Sequence, residues 1–262
     1  MRLDKENSYL FYDIDRHGTI YNQASGMLVN EFTMMLRFKP DVEDITNVLE
    51  RRKDHPSFKD CVYHKQCIIG KNGKHQGLFF TSLIDSRGEI VHCIEYEWWQ
   101  NVLWEQNQNP DDDTVQAIKF YVDPHEDEYY DVVVIKDGEK VTVDVNGKKQ
   151  ELPYSCIIDY SMALMWLGAA NRLLDDTDEY DEGFACIYTG DIDLLHVQDS
   201  PLGLDKIELF FEDFQKFNEL KLDPRENTIY VSTNFAEITP YKVRDYSGNG
   251  LHPLLFNREW IG

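Results

Sequence analysis

Apolar and polar positions alternate most sharply between Asp131 and Leu152. Asp131-Val132-Val133-Val134-Ile135 is a β-branched run, and Asp137-Gly138 follows it as a turn. From Lys140 to Val145 the valines 141, 143 and 145 fall on one side, with Thr142 and Asp144 on the other. A period of two places the valines on a core and the polar groups in solvent. Asn146-Gly147 then turns the chain again, because Asn-Gly accepts the positive φ angles of a two-residue hairpin loop. The pattern predicts a three-stranded antiparallel meander.

The same reading along the chain predicts many strands and few helices. Residues 8–22 suggest two short strands around Arg16-His17-Gly18, and Phe32 to Pro40 a longer strand stopped by proline. Asp41 to Lys53 places Val42, Ile45, Val48 and Leu49 at helical spacing behind the cap Asp41, as a short surface helix. Cys67 to Gly70, Gly77 to Ile84, Glu89 to Trp99 and Ala117 to Val122 read as strands. So do Met162 to Gly168 and Ile187 to Val197. Asn107 to Thr114 and Asp175 to Glu182 read as loops. From Leu204 the period changes: Ile207, Phe210, Phe211, Phe214 and Phe217 fit one apolar helix face. Asp205 and Glu208 resemble a capping box, and this helix is expected to close one end of the fold. Ile229 to Val231, Lys242 to Arg244 and Leu254 to Phe256 end the chain as short β pieces. Helices recurring between successive strands, which a parallel α/β sheet requires, are missing from the pattern. The expected class is therefore all-β: a two-sheet antiparallel sandwich with short peripheral helices.

Charge narrows the functions. The 262 residues hold 48 acidic and 26 basic side chains, a formal net charge of −22. Nucleic acids and anionic membrane surfaces need a basic footprint, so neither is an expected partner. No apolar run reaches membrane-spanning length, which excludes helical insertion from the expectation. Met1 to Glu6 lacks the apolar stretch of a secretory signal, which gives the expectation of a cytoplasmic or virion location. The cysteines at 61, 67, 93, 156 and 186 are odd in number and fit no zinc spacing, so free thiols are expected.

Several segments in order resemble the concanavalin A-like lectin/glucanase superfamily, in particular its laminin-G-like branch. Phe32-Thr33-Met34-Met35-Leu36-Arg37-Phe38-Lys39-Pro40 resembles an early strand of that family. Tyr130 to Val134 through Asp144-Val145-Asn146-Gly147-Lys148 is similar to its central hairpins. Trp166 to Asn171 resembles a later strand. Gly190 to Val197, with Ser200-Pro201-Leu202 after it, resembles the closing strand and short helix. The likeness covers roughly residues 30–210 and implies a jelly-roll sandwich. Asp245-Tyr246-Ser247-Gly248-Asn249-Gly250 is similar to a turn that usually opens such a module, yet here it stands near the C-terminus. Two parts are therefore expected. Residues 1–227 form the sandwich, and residues 228–262 a β segment that packs on it or on a neighbouring subunit, a route to an oligomer or larger assembly.

The resemblance also directs attention to carboxylates two residues apart on one strand, the pair that glucanases of this fold use. Glu95-x-Glu97 and Asp191-x-Asp193 have that spacing, but two residues beyond Glu97 stands Trp99 where a third carboxylate is required. No catalytic residue is assigned, and the chain is expected not to be an enzyme. Tyr96, Trp98, Trp99 and Trp104, with Asn101 beside them, form the densest aromatic cluster. Rings that stack on sugars and amides that read hydroxyls make these the glycan-binding candidates, although some of the rings are also expected to be core. Asp111, Asp112 and Asp113 are the candidate ligands of a calcium ion, and no other cofactor is expected. The leading expectation is a non-enzymatic binding module that recognises a glycan or a protein surface. The alternative is a structural or adhesive component of a large assembly such as a phage virion. A glycan-cleaving enzyme is the third reading.

Overall fold

The computed structural model describes residues 2–3, 9–12, 31–54, 58, 61–71, 76–99, 115–124, 128–153, 165–167, 170–171, 184–185, 188–220, 229–234, 246 and 254–256. In chain order these form β1 (Arg2–Leu3), β2 (Tyr9–Tyr12), β3 (Phe32–Pro40), α1 (Val42–Arg52), β4 (Tyr63–Lys71), β5 (Gln76–Ile84) and β6 (Ile90–Trp99). There follow β7 (Val115–Val122), β8 (Tyr130–Asp137), β9 (Lys140–Val145), β10 (Lys148–Pro153), β11 (Met165–Leu167), β12 (Ala170–Asn171) and β13 (Phe184–Ala185). Last come β14 (Gly190–Gln198), α2 (Leu204–Glu212), α3 (Phe214–Glu219), β15 (Ile229–Asn234) and β16 (Leu254–Phe256).

Two seven-stranded antiparallel sheets make a sandwich. One, here the A sheet, runs β1-β14-β3-β8-β9-β10, with β15 also on β14. The other, the B sheet, runs β16-β2-β11-β4-β5-β6-β7. The meander β8-β9-β10 is as the alternation predicts, with Val132 opposite Val145 and Val143 opposite Gln150. Asn146 at φ 50° and Gly147 at φ 81° carry its second turn. The valines 141, 143 and 145 face the other sheet and are buried. Inward residues of β3, Phe32, Met34, Leu36 and Phe38, meet Leu78, Phe80, Ile94, Tyr96, Trp98, Ile118 and Phe120 of the B sheet in one core. Each such side chain withdrawn from water stabilises the fold by about 1.5–3 kcal/mol before entropy is counted. Of the strand predicted at 162–168, Met165–Leu167 is described, and Leu167 is its buried core residue. Leu164 lies outside the described residues.

The helices differ in part from the sequence reading. Asp41 caps α1 by accepting from Asp44 N, as predicted, but α1 is more than a surface helix: Ile45 and Leu49 belong to the sandwich core. The helix predicted from Leu204 is broken in two at Asp213, whose backbone is extended (φ −147°) and whose side chain caps α3 through Lys216 N. The N-cap of α2 is Gly203, with no side-chain cap, so Asp205 and Glu208 do not form the capping box. The pair covers the outward face of the A sheet instead of closing an end. Ile207, Phe210, Phe214 and Phe217 pack on Met35, Val133 and Leu194. β3 is buried on both sides for this reason, which hides its alternation in sequence.

Both late strands join the sandwich of their own chain. β15 pairs with β14 (Val231 opposite Val197), and β16 pairs with β2 (Leu255 opposite Leu10). The strand predicted over 242–244 lies outside the described residues. On the opposite flank the two sheets approach each other, where Gln150 Nε2 of β10 donates to Lys119 O of β7 at 3.0 Å. Cys61, Cys67 and Cys93 are free thiols, the first exposed and the others buried.

Candidate functional site

Strand β6 sorts its residues strictly. Ile94, Tyr96 and Trp98 point inward and are fully or almost fully buried; Cys93, Glu95 and Glu97 lie on the opposite, outward face. This corrects the glycan-binding assignment of Tyr96 and Trp98. Both rings are at 0 % exposure, 5.7 Å apart in the inter-sheet core, and offer no face to a sugar. Alternation alone demands this, since the acids between them must take the other side. Trp99 ends β6, and its side chain is not described. Asn101, Trp104 and the calcium candidates Asp111, Asp112 and Asp113 lie outside the described residues.

The outward face of the B sheet carries a charge network that sequence reasoning found only in part. Glu95 sits opposite Phe79 on β5 and Lys119 on β7, while Thr81 and Lys65 face each other on β5 and β4. Lys65 Nζ lies 2.5 Å from Glu97 Oε2 and 3.4 Å from Glu95 Oε1. Lys119 Nζ lies 3.0 Å from Glu95 Oε2, and Thr81 Oγ1 donates to Glu95 Oε1 at 2.5 Å. The Lys65 ammonium also stands 4.2 Å over the Phe79 ring. Burial alone would push the Glu95 carboxyl up. The Lys65 charge, the Thr81 hydrogen bond and Lys119 outweigh it and hold the carboxyl below its usual range. Beside it the Cys93 thiol is pushed up to about 12, by burial first and by Glu95 next, which leaves it unreactive.

This network forms a closed floor, since Phe79, Glu95 and Cys93 are all buried on the outward side. Open surface begins around it. Tyr121, opposite Cys93, is 70 % exposed, and Tyr63, two residues before Lys65, is 45 % exposed. Between these tyrosines lie Leu83, Val91 and Thr81, all half-buried. Tyr63 and Tyr121 stand on strands three spacings apart, about 14 Å at the usual strand separation. The Tyr63 ring is held edge-on by Phe58 at 5.7 Å, and Arg52, which donates to Tyr63 O, lies over Phe58. The strip is thus a shallow platform with a ring at each side and a rigid polar floor. Sequence reasoning missed both tyrosines because each lies outside the dense cluster; the signal present is their parity with Lys65 and Lys119.

The second carboxylate pair lies elsewhere. Asp191 reaches Lys39 at 3.5 Å, and Asp193 is half-buried on the outward side of the A sheet. Nearby, Arg37 grips Asp131 with two hydrogen bonds of 2.6 and 2.8 Å. A serine–histidine contact also exists, with Ser82 Oγ 2.8 Å from His92 Nδ1. Ser82 points into the core at 0 % exposure, so no substrate reaches it. Among the described residues no group of three His, Cys, Asp or Glu side chains is arranged to hold a metal ion.

No protein-family model matches the chain, and no curated protein matches it. Two solved structures are similar in shape at low identity. One is a provisionally assigned carbohydrate-binding protein of Bacteroides ovatus, with 12% identity and a TM-score of 0.45 over 95% of this chain and 56% of that one. The other is the LG4-5 region of the mouse laminin α1 chain, with 10% identity and a TM-score of 0.32 over 76% of this chain and 41% of that one. The chain spans about half the length of each. The chain's own strand pairing makes it an all-β, two-sheet antiparallel sandwich.

Proposed function

We propose that the chain is a non-catalytic binding module that holds a saccharide across the outward face of the B sheet, between Tyr63 and Tyr121. The observation that carries this reading is the exposure of those two rings on one side of one sheet, flanking a strip of half-buried side chains. Exposed tyrosines offer apolar faces for sugar C–H groups and hydroxyls for hydrogen bonds. A span of several strands suits a row of sugar rings rather than a single one. A protein surface is the other occupant of such a platform, and binding tests separate the two.

The same geometry speaks against sugar cleavage. A retaining or inverting glycosidase needs one carboxyl held protonated beside an ionised partner. Glu95 is held in its ionised form by two lysines and a threonine and is buried beneath the strip. No observation favours an assembly component over a binding module. The direct test is a saccharide array with the purified chain, followed by titration of Tyr121→Ala and Tyr63→Ala. Each substitution is expected to weaken saccharide binding about tenfold or more while the thermal midpoint stays within a few degrees. Undiminished binding by both variants would exclude the platform.

A further inference from the structure

Resting on that platform reading, we infer that the ligand is an uncharged saccharide and that the rim of the strip rejects acidic ones. The described cations on the strip's strands and on its β5–β6 turn are paired with carboxylates, and Arg52, beside Tyr63, is engaged by Tyr63 O and the Phe58 ring. Lys65 lies between Glu97 and Glu95, and Lys119 holds Glu95 from the other side. At the turn between β5 and β6, Arg87 is held by Asp85 at 3.0 Å and by Glu89 at 2.8 Å. Asp123, the residue after β7, is exposed and has no ion-pair partner among the described residues. Carboxylates therefore outnumber cations around the strip, in a chain whose net charge is −22.

A uronate or sulfate laid on this surface would bring its charge to the rim with no uncommitted described cation to receive it. Opposed like charges disfavour a complex by up to several kcal/mol, and salt relieves this only partly at short range. A neutral sugar meets no such penalty. Its ring faces stack on Tyr121 and Tyr63, and its hydroxyls find hydrogen-bonding groups already held in ion pairs. Selection of this kind works by excluding the wrong ligand more than by favouring the right one.

The test uses the whole chain and two probe sets: neutral gluco-, manno- and galacto-oligosaccharides, and oligogalacturonate with heparin-derived sulfated oligosaccharides. At least one neutral probe is expected to bind with an affinity that changes less than about twofold between low and high salt. The acidic probes are expected not to bind. Binding of an acidic probe that weakens about tenfold in high salt would overturn the inference and leave the platform standing. Failure of every saccharide to bind would overturn the platform reading and the inference together. A second variant, Glu89→Lys with Asp123→Lys, reverses two exposed rim charges away from the core. It is expected to admit oligogalacturonate while keeping neutral binding; continued exclusion of the acid would show that charge is not the cause.

Discussion

Glu95 is a charged side chain at 3 % exposure, tolerated because two ammonium groups and a hydroxyl surround it. Removing one partner of a buried ion pair leaves an uncompensated charge and destabilises by about 3–5 kcal/mol. Lys119 is half exposed and water serves part of its need, so a smaller effect is expected here. Glu95→Gln should lower stability to unfolding by about 1–3 kcal/mol, measured by urea denaturation. Adding Lys119→Met should recover part of that loss, because Lys119 is the ammonium that loses its carboxylate, whereas Lys65 keeps Glu97. His196 poses the opposite case. It is fully buried under α2 and α3, 4.9 Å from the Phe217 ring, with Nε2 bonded to Gln198 Oε1 at 2.9 Å. Burial lowers its pKa from 6.5 to about 4 despite the Gln198 bond. The unfolded chain then binds a proton that the folded chain refuses, so stability falls as pH drops from 6.5 towards 4. The loss approaches about 3 kcal/mol. Glu95, whose pKa is lowered from 4.5, gives up its contribution only below that value. Denaturation at stepped pH should show this acid slope between pH 6.5 and 4.5, and His196→Gln should reduce it, leaving the part due to His92, whose pKa burial also lowers.

At the scale of elements, the sequence shows what alternates and conceals what is buried twice. The hairpins of β8, β9 and β10 were legible because Asn146-Gly147 fixes the turn and one residue in two of β9, each a valine, faces the core. In β6 the same rule was available, yet the density of rings around Tyr96 and Trp98 suggested a surface site. Core and binding rings are chemically alike, and only the parity of Glu95 and Glu97 separates them. The break at Asp213 was illegible for a related reason. Phe210, Phe214 and Phe217 keep helical spacing across it, so the phenylalanines continue one apolar face over two helices. Gly190, which opens β14, marks another junction. Its φ of 144° and its nearness to Lys39 O leave no room for a side chain: an added Cβ would lie 2.2 Å from that oxygen and 2.6 Å from Tyr188 Oη. The Tyr188 hydroxyl donates to Lys39 O at 2.7 Å, so the contact also fixes the end of β3. Gly190→Ala should therefore destabilise by about 2–4 kcal/mol or more, because both backbone strain and the tyrosine contact are affected. Thermal melting checks it, with Gly88→Ala, at a turn with open space around it, as a milder comparison.

For the whole molecule, the C-terminal strands matter more than their length suggests. β15 lies along β14, which carries Ile192, Leu195 and Val197 into the main core, and β16 lies along β2 at the rim of the other sheet. Ser232 and Thr233 of β15 are buried, and Ser232 Oγ donates to Asn218 at the end of α3. Deleting residues 228–262 should strip a neighbour from both sheets. We expect the thermal midpoint to fall by about ten degrees or more, or the sandwich to self-associate through the uncovered strand. An unchanged midpoint in a monomeric truncated chain would show the segment to be an appendage.

The link from Gln150 to Lys119 has a consequence for how anything can be recognised on that flank. A strand at the margin of a sheet ordinarily offers a ladder of main-chain groups that an extended peptide can continue. Here one rung of β7 is occupied by a side chain from the facing sheet, and β10 bears Lys148, Lys149 and Glu151 before ending at Pro153. Such a margin is a poor template for fibril growth, because any added chain would have to displace Gln150 and pass a row of mixed charges. It also means that visitors to this side meet side chains rather than backbone, so recognition there depends on the shape and chemistry of particular residues, and not on a pattern that any extended chain could supply.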